Sequence, residues 1–461
     1  MIIYNFLTLI YILLQPTIII SEINIAYEQA LNSTCVKTFL TCLFPPITIN
    51  PTVYPSIKPT IYPSIKSTLR PTIKSTIYPS IKPIVKPTSR PTIKPTIYPS
   101  IKPTLRPTSR PTIKPTFKLK SNTALCRDAW QHPFLSTSIW NTPIGSNAIF
   151  YSAGIFITHE KPLMLYSDIA YFIKTTSSDP VTLWYNQVSW SQTADHCAIT
   201  SSLPPRNIIF PSNFTQTIYG NNVGSVLNPD GQNVVQMLQL YRCEKNSPVL
   251  ASVKGNTNIY TSNGTYGSHG GSGLSGIGGC IRPGELLPNT PDISHSLNLQ
   301  IYAAYYYYKS LDSNGVLVPG SCRTWPAIYC DGESSGYGGT NPYLKMGSLL
   351  AVPLHISGTL NIQTIPGKKI LNALTYYGGY IKDSQGINWA TMALDNDAIT
   401  EFRAYYGYNF MVRADTKNTA ALKFYDDIVL IFQSLSIVTN NAANSLGGGG
   451  TPLASKALPF C

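Results

Sequence analysis

From residue 126 to residue 461 the chain predicts a mainly-β domain, and three observations carry that expectation. Short apolar segments recur between Gly, Pro and Asn; "SHSLNLQIYA" alternates Leu297, Leu299 and Ile301 with polar residues; and "LLAVPLHI" and "DIVLIF" read as further strands. A period of two is that of a strand with one buried face. One segment departs from it. "PGKKILNALTYYGGYIKD" opens with Pro366 and Gly367 and spaces Ile370, Leu374, Tyr377 and Ile381 by three and four residues, which predicts an amphipathic helix. The expected architecture over 126–461 is a β-sandwich or jelly roll with at least one packed helix, long enough to bury a substantial core. Residues 119–125 read as a linker.

Before that linker the composition is different. Residues 51–118 are seventeen consecutive four-residue units, with Pro at the first position of fifteen and Ser or Thr at the second position of sixteen. The fourth position is Lys or Arg thirteen times and Tyr four times, so this segment carries +13, equal to the formal charge of the whole chain. Basicity therefore belongs to a repeat and not to a folded face, which argues against a nucleic-acid binder. Proline at this spacing excludes helix and interior strand and leaves polyproline II, at about 3.1 Å per residue a rod on the order of 200 Å long.

A rod that shows Ile and Tyr on every side needs cover. Ser/Thr-rich sequence with proline is the composition of O-glycosylated stalks. Hydroxylation and glycosylation are expected at Pro51, Pro55, Pro59, Pro63, Pro71, Pro79, Pro83, Pro87, Pro91, Pro95, Pro99, Pro103, Pro107, Pro111 and Pro115. O-glycans are expected on Thr92, Thr96, Ser100, Thr104, Thr108 and Thr112. An unmodified spacer is the alternative.

Export is expected from residues 1–21, an apolar run interrupted by Gln15 and Pro16 that suits a signal peptide, although it lacks a basic start and a retained anchor stays open. Residues 22–50 form a short segment with Cys35 and Cys42. Sequons place N-glycans at Asn32, Asn213 and Asn263. Nine cysteines in an exported chain imply several disulfides and one odd thiol, with Cys35–Cys42 and Cys322–Cys330 as the local pairings.

The repeat resembles the tetrapeptide repeats of extracellular glycofibril proteins and the hydroxyproline-rich glycoproteins of algal and plant walls. That likeness implies a glycan-coated extracellular rod. The later blocks "GSHGGSGLSGIGGCIRPGEL" (267–286), "ISHSLNL", "CRTWPA", "LKMGSLLAVP" and "KKILNALTYYGGYIKD", with "HPF" and "WNTPIG" upstream, are similar in order to a family of secreted bacterial β-rich domains of uncharacterised function. That resemblance implies a fold and almost no chemistry.

Chemistry must come from residues. His269, Glu285, His295 and Asp331 are the polar residues within these blocks that acid–base catalysis on a glycan would use. The structural alternative has His295 hydrogen-bonded within the sheet and Glu285 capping a turn. The glycine run round His269 could approach a ligand, but it lacks the Lys and context of a phosphate loop. "ADHC" (194–197) hints at a metal, yet the six histidines show no metalloprotease spacing, so neither metal nor other cofactor is expected. The tyrosine strings "YAAYYYY", "TYYGGY" and "RAYYGYNF" suit either glycan stacking or core packing.

Two functions of different class remain. The first is a secreted structural glycoprotein whose repeat builds or joins an extracellular fibril or wall layer, with the C-terminal domain as anchor, cap or glycan-binding head. The second is a secreted polysaccharide lyase or glycoside hydrolase on a glycosylated linker. The strict repeat favours the first. Expected partners are attached glycans and extracellular polysaccharide or like chains, with no nucleic acid and only transient membrane contact through the signal peptide.

Overall fold

In the computed structural model the described residues are 126–157 and 164–461, so the leader, the repeat, Cys35, Cys42 and Asn32 lie outside them. Twelve strands are formed: β1 Phe150–Ser152, β2 Tyr166–Lys174, β3 Val181–Asn186, β4 Arg206–Ile209, β5 Val223–Leu227, β6 Asn233–Tyr241, β7 Val249–Asn258, β8 Leu297–Tyr302, β9 Leu349–Ala351, β10 Gly379–Gln385, β11 Thr391–Asp395 and β12 Ser436–Val438. They join in one sheet of order β1-β12-β9-β10-β8-β11-β2-β5-β6-β7-β3-β4. The domain is mainly β, as expected. It is not the wholly antiparallel sandwich or jelly roll, because the pairs β10/β8, β11/β2, β2/β5 and β3/β7 are parallel.

Parallel neighbours need long crossovers, and helices supply some of them. The described helices are α1 Ala303–Tyr306, α2 Leu354–Ser357, α3 Ile365–Tyr376, α4 Asn396–Tyr406 and α5 Thr419–Gln433. The expected helix at 366–383 forms only in its first part. Gly378 takes φ +71° and its N–H returns to Ala373 O, a glycine stop, after which Tyr380 and Ile381 belong to β10. "DIVLIF" is not a strand but the end of α5. Its β-branched run continues the buried series Ala421, Phe424, Tyr425 and Ile428, whose three- and four-residue steps fit helix, and Asn418 caps the start. "LLAVPLHI" gives strand only over Leu349–Ala351 before the turn of α2.

The two faces of the sheet are chemically distinct. Leu297, Leu299, Ile301, Ile381, Met392 and Leu394 lie in the largest apolar core with Ile370 and Leu374 of α3 and Phe424, Ile428 and Phe432 of α5. Each such side chain contributes about 1.5–3 kcal/mol through burial. Asp427 of α5, buried, accepts hydrogen bonds from the Gln363 and Thr364 amides at 2.8 and 2.7 Å and so closes the open N-terminal end of α3. On the opposite face the alternation presents Asn298, Gln300, Lys382, Thr391 and Asp168, all buried.

What covers that polar face is the glycine-rich segment 267–282. Strands β8 and β11 pair only through Gln300–Thr391 and Leu299–Met392 and then splay. The segment enters there: Gly279 O accepts from Asn298 N, Ile281 N donates to Ala393 O, and Asp395 N donates to Ile281 O. A Cβ on Gly279 would meet Trp140 at 2.6 Å and Asn298 N at 2.8 Å, and one on Gly278 would meet Trp140 at 2.3 Å. These glycines are needed for contact with the protein's own sheet.

Three disulfides brace the domain, Cys126–Cys461, Cys197–Cys243 and the expected Cys322–Cys330. Cys280 is the free thiol among the described residues, buried, its pKa pushed up to about 11 by burial. The disulfides fit an oxidising compartment, and no described helix is long and apolar enough to cross a membrane.

Candidate functional site

The sequence candidates fall into two clusters. The first is built on β10, β8 and β2, with β11 between β8 and β2. Asp383 of β10 lies opposite Gln300 of β8, Gln300 lies opposite Thr391 of β11, and Ala393 of β11 lies opposite Asp168 of β2. The intervening strand thus offers only small side chains, and His269 from the glycine-rich segment fills the place above them.

His269 Nε2 is 2.8 Å from Asp168 Oδ2, and Nδ1 is 3.2 Å from Asp383 Oδ2, an ion-pair contact off the line of a straight hydrogen bond. Gln300 Nε2 donates to Asp168 Oδ2 at 2.6 Å, and Asn221 Nδ2 donates to Asp168 Oδ1 and Asp383 Oδ2 at 3.2 and 3.4 Å. Burial and the Lys382 charge act to lower the His269 pKa, but the two carboxylates outweigh them and hold it above the ordinary histidine value. Burial would raise Asp168; the His269 hydrogen bond and charge instead keep its pKa below the ordinary carboxylate range. The centre is a buried histidine held between two carboxyl groups, with its pKa raised.

A β-bulge makes the arrangement possible. The β10/β8 register shifts between Ile381 and Asp383, so the extra residue Lys382 and its neighbour Asp383 both reach the glycine-rich segment, Lys382 Nζ donating to Gly278 O at 3.0 Å. Gly271 is confined beside them, since a Cβ there would lie 2.4 Å from Asp383 Oδ1.

Asp331 forms the outer edge of this cluster. It follows directly on the Cys322–Cys330 disulfide, and Ile328 N, bonded to Ser272 O at 2.9 Å, ties that loop to the glycine-rich segment. Ser384 Oγ donates to Asp331 Oδ2 at 2.6 Å. Burial, then the charge of Asp383, raises the Asp331 pKa. Unlike Asp168 and His269, Asp331 is only half-buried, as are Ser384, Gln385 and Asn221. The arrangement is a fixed charged centre with one titratable acid at its accessible edge.

The second cluster joins Glu285, His295 and His132. His295 Nε2 lies 3.1 and 3.2 Å from Glu285 Oε1 and Oε2, and His132 Nε2 lies 3.8 Å from Oε1. His295 Nδ1 is 2.9 Å from Ser296 O, and Glu285 Oε2 accepts the Arg282 amide at 2.7 Å. The structural alternative is thus partly realised: His295 bonds to backbone and Glu285 caps the 282–285 turn. Arg282 is itself paired, Nη1 to Asp395 Oδ2 at 3.0 Å. Burial opposes both charges of the Glu285–His295 pair, yet their mutual attraction lowers the pKa of Glu285 and raises that of His295. His132 is different: burial depresses it to about 4, the Glu285 charge opposing, so it is neutral at pH 7.

The other sequence motifs are structural. Cys197 of "ADHC" is in a disulfide with Cys243, and His196 stacks on Tyr241 with ring centroids 4.6 Å apart. Tyr306, Tyr307, Tyr377 and Tyr380 are buried, the Tyr307 hydroxyl donating to Asp383 O at 2.6 Å. Tyr305 is more than half exposed, as is Phe156, which stacks on it at 6.2 Å, with Tyr302 against its edge at 4.7 Å. Asn213 and Asn263 are exposed. Sequence reasoning missed His132, Asp168, Asn221, Gln300, Lys382 and Asp383; His132, Gln300, Lys382 and Asp383 lay in the quoted segments "HPF", "SHSLNLQIYA" and "KKILNALTYYGGYIKD", whereas Asp168 and Asn221 lay in none.

Fold and site together define a disulfide-braced, mixed-sheet domain with a buried carboxylate–histidine–carboxylate centre. No protein-family model matches the chain, and no curated protein or solved structure matches it.

Proposed function

We propose that the C-terminal domain is an extracellular glycan-cleaving enzyme, a glycoside hydrolase or polysaccharide lyase, carried on a hydroxylated and O-glycosylated repeat. The observation that carries this reading is Asp331: half-buried, raised in pKa, and close enough to Asp383 to feel its charge, with Asp383 held in position by His269 and Asn221. Glycan cleavage needs a carboxyl group that keeps its proton near working pH and a second, ionised group close by. Asp331 acts as the proton donor, Asp383 as the charged partner, and His269 and Asp168 as positioning residues. Desolvated, ordered charge of this kind is costly and adds little to stability, which favours a chemical role over a packing role.

The aromatic group Phe156, Tyr305 and Tyr302 adds support. Tyr302 lies opposite Gln385, two residues along β10 from Asp383, so these rings stand at the same end of the sheet as the acid. Rings of this kind stack on sugar faces. The test is a screen of the secreted chain on wall polysaccharides for new reducing ends or unsaturated products, with Asp331→Asn as the variant.

The strict tetrapeptide repeat supports a second reading, a structural glycoprotein of an extracellular fibril or wall layer with this domain as its glycan-binding head. Retention on insoluble glycan without turnover, lost when Phe156 or Tyr305 becomes Ala, favours that reading over the enzyme.

A further inference from the structure

His295, Glu285 and His132 present a problem of proton placement. The Ser296 carbonyl accepts only from an N–H, so Nδ1 of His295 carries a proton and, in the neutral ring, Nε2 is a lone pair. That lone pair would face both oxygens of Glu285 at 3.1 and 3.2 Å. Acceptors facing one another at that distance need a cation between them. A proton on Nε2 meets the need for these two groups and leaves His132 unaccounted for: among the described residues its ring makes no hydrogen bond, although its Nε2 lies 3.8 Å from the same carboxylate.

A metal ion accounts for all three. One donor atom from each residue lies within 4.8 Å of the others. Bond lengths of about 2.0–2.2 Å in a tetrahedral site imply donors roughly 3.3–3.6 Å apart, so closure asks for about 1.2–1.5 Å of movement, chiefly by the half-buried His132. The surroundings are those of a ligand set: a backbone carbonyl fixes the His295 tautomer, and the Arg282 amide orients the Glu285 carboxylate.

The chain positions His132 deliberately. Arg127 donates to the carbonyls of His132, Phe134 and Leu458, Gln131 Nε2 donates to Pro283 O at 3.0 Å, and Cys126 is fastened to Cys461. The charged groups facing the cluster are Arg127, Arg282, Lys369 and Asp395, with Arg282 paired to Asp395.

We propose that His132 Nε2, Glu285 and His295 Nε2 bind one divalent first-row transition-metal ion of the zinc class, with its remaining position open towards the side where His132 is exposed. Two imidazoles and one carboxylate suit zinc or cobalt(II) better than calcium or magnesium, which prefer all-oxygen sets. This proposal does not depend on the glycan-cleaving reading.

The experiment uses the untagged, secreted full-length chain, stripped with chelator and titrated with Co²⁺ and Zn²⁺. The expected result is one ion per chain at a dissociation constant on the order of micromolar or tighter, with a visible Co²⁺ absorption band and release of the proton that His295 and Glu285 share. His132→Ala, at the accessible edge, should weaken binding roughly a hundredfold while the thermal transition of the metal-free protein is retained. Glu285→Gln and His295→Ala should also lose the ion, and exposed His355→Ala should bind as the parent does. A chain that shows no saturable Co²⁺ or Zn²⁺ binding in the titration, or a folded His132→Ala variant that binds as tightly as the parent, would overturn the proposal.

Discussion

Lys382 and Asp383 are adjacent in the chain, yet both side chains reach the same glycine-rich segment, Lys382 at Gly278 O and Asp383 at His269. Regular strand geometry would send them to opposite faces. The bulge that aligns them brings the buried Lys382, its pKa lowered by burial, within electrostatic reach of Asp168 and Asp383, which oppose that lowering. Lys382 is fully buried. Lys382→Met should therefore cost roughly 1–3 kcal/mol, the range for leaving the buried Gly278 carbonyl without its donor. Urea unfolding of the parent and variant measures it; an unchanged midpoint and slope would remove Lys382 from the network.

The glycine-rich segment makes a second, steric prediction. Gly279→Ala combines a positive φ of +73° with contacts of 2.6 Å to Trp140 and 2.8 Å to a strand amide, neither of which can yield cheaply. Gly315 has a similar φ, +77°, and open space around it. Gly315→Ala should cost about 1 kcal/mol for the backbone alone, and Gly279→Ala several times that. Equal losses in the two variants, read by thermal denaturation, would mean that the segment does not press on the sheet.

Stability should fall on both sides of neutrality for identifiable reasons. Asp168 and Glu285 have lowered folded pKa values, so their contribution is present above the ordinary carboxylate value near 4 and disappears as pH drops through the folded values. His269 and His295 are raised, so theirs is complete below about 6.5 and is lost as pH climbs through the folded values. His132, depressed to about 4, stabilises above about 6.5 and loses that contribution as pH falls, steepening the acid side. Between about pH 6.5 and 8.5 the decline belongs to the two raised histidines, before Cys280 titrates. His269→Gln should flatten that part of a melting-temperature profile; a profile of unchanged slope there would count against an imidazolium.

The Cys126–Cys461 disulfide spans 335 residues and holds down the strand-free segment that delivers His132. Closing a loop of that size restricts the unfolded chain, and Cys126→Ser with Cys461→Ser should lower stability by about 3–5 kcal/mol. Equilibrium unfolding against the parent checks it, and proteolysis should then begin near residue 126. Resistance equal to that of the parent would show that Arg127 and its carbonyl contacts suffice.

How much of this was legible depends on how far apart in sequence the interacting groups lie. Strand β8 could be read from "SHSLNLQIYA" because its alternation is local, and α3 from its proline start and apolar spacing. "DIVLIF" misled because six residues are too few to separate a buried strand from a buried helix; the deciding residues, Asn418, Ala421 and Phe424, stand before it. Ile381 fits the helical spacing of α3, yet Gly378 stops the helix first. At the site, His269, Glu285, His295 and Asp331 could be picked out as polar residues in apolar or glycine-rich surroundings. Asp168 stands in "YSDIAYFIK", where nothing local marks it, and Asp383 stands at the end of the expected helix 366–383, where an acid reads as an ordinary polar position. Only the pairing of β2 with β11 and the bulge at Lys382 bring them to one histidine, and neither is written in local periodicity.

The decisive functional prediction rests on Asp331. If it donates the proton to a departing sugar oxygen, Asp331→Asn should lower kcat on the polysaccharide found by the screen about a hundredfold or more, with KM little changed, because the amide keeps the shape but cannot transfer a proton. The pKa raised by burial and by Asp383 should appear as the alkaline limb of the parent's kcat/KM profile, above the ordinary carboxylate value. Removing the neighbouring charge in Asp383→Asn should move that limb towards lower pH as well as slow the reaction, since the anion that favours protonated Asp331 is gone. His269→Gln removes a charge that lowers the Asp331 pKa as well as a contact of Asp383, so it should reduce kcat and move the limb towards higher pH. A hydrolytic or lyase activity that survives Asp331→Asn at the parental rate would remove Asp331 from the chemistry. Absence of turnover across the panel, with binding retained, would leave the aromatic group Phe156, Tyr305 and Tyr302 as the functional surface and the domain as a glycan-binding head.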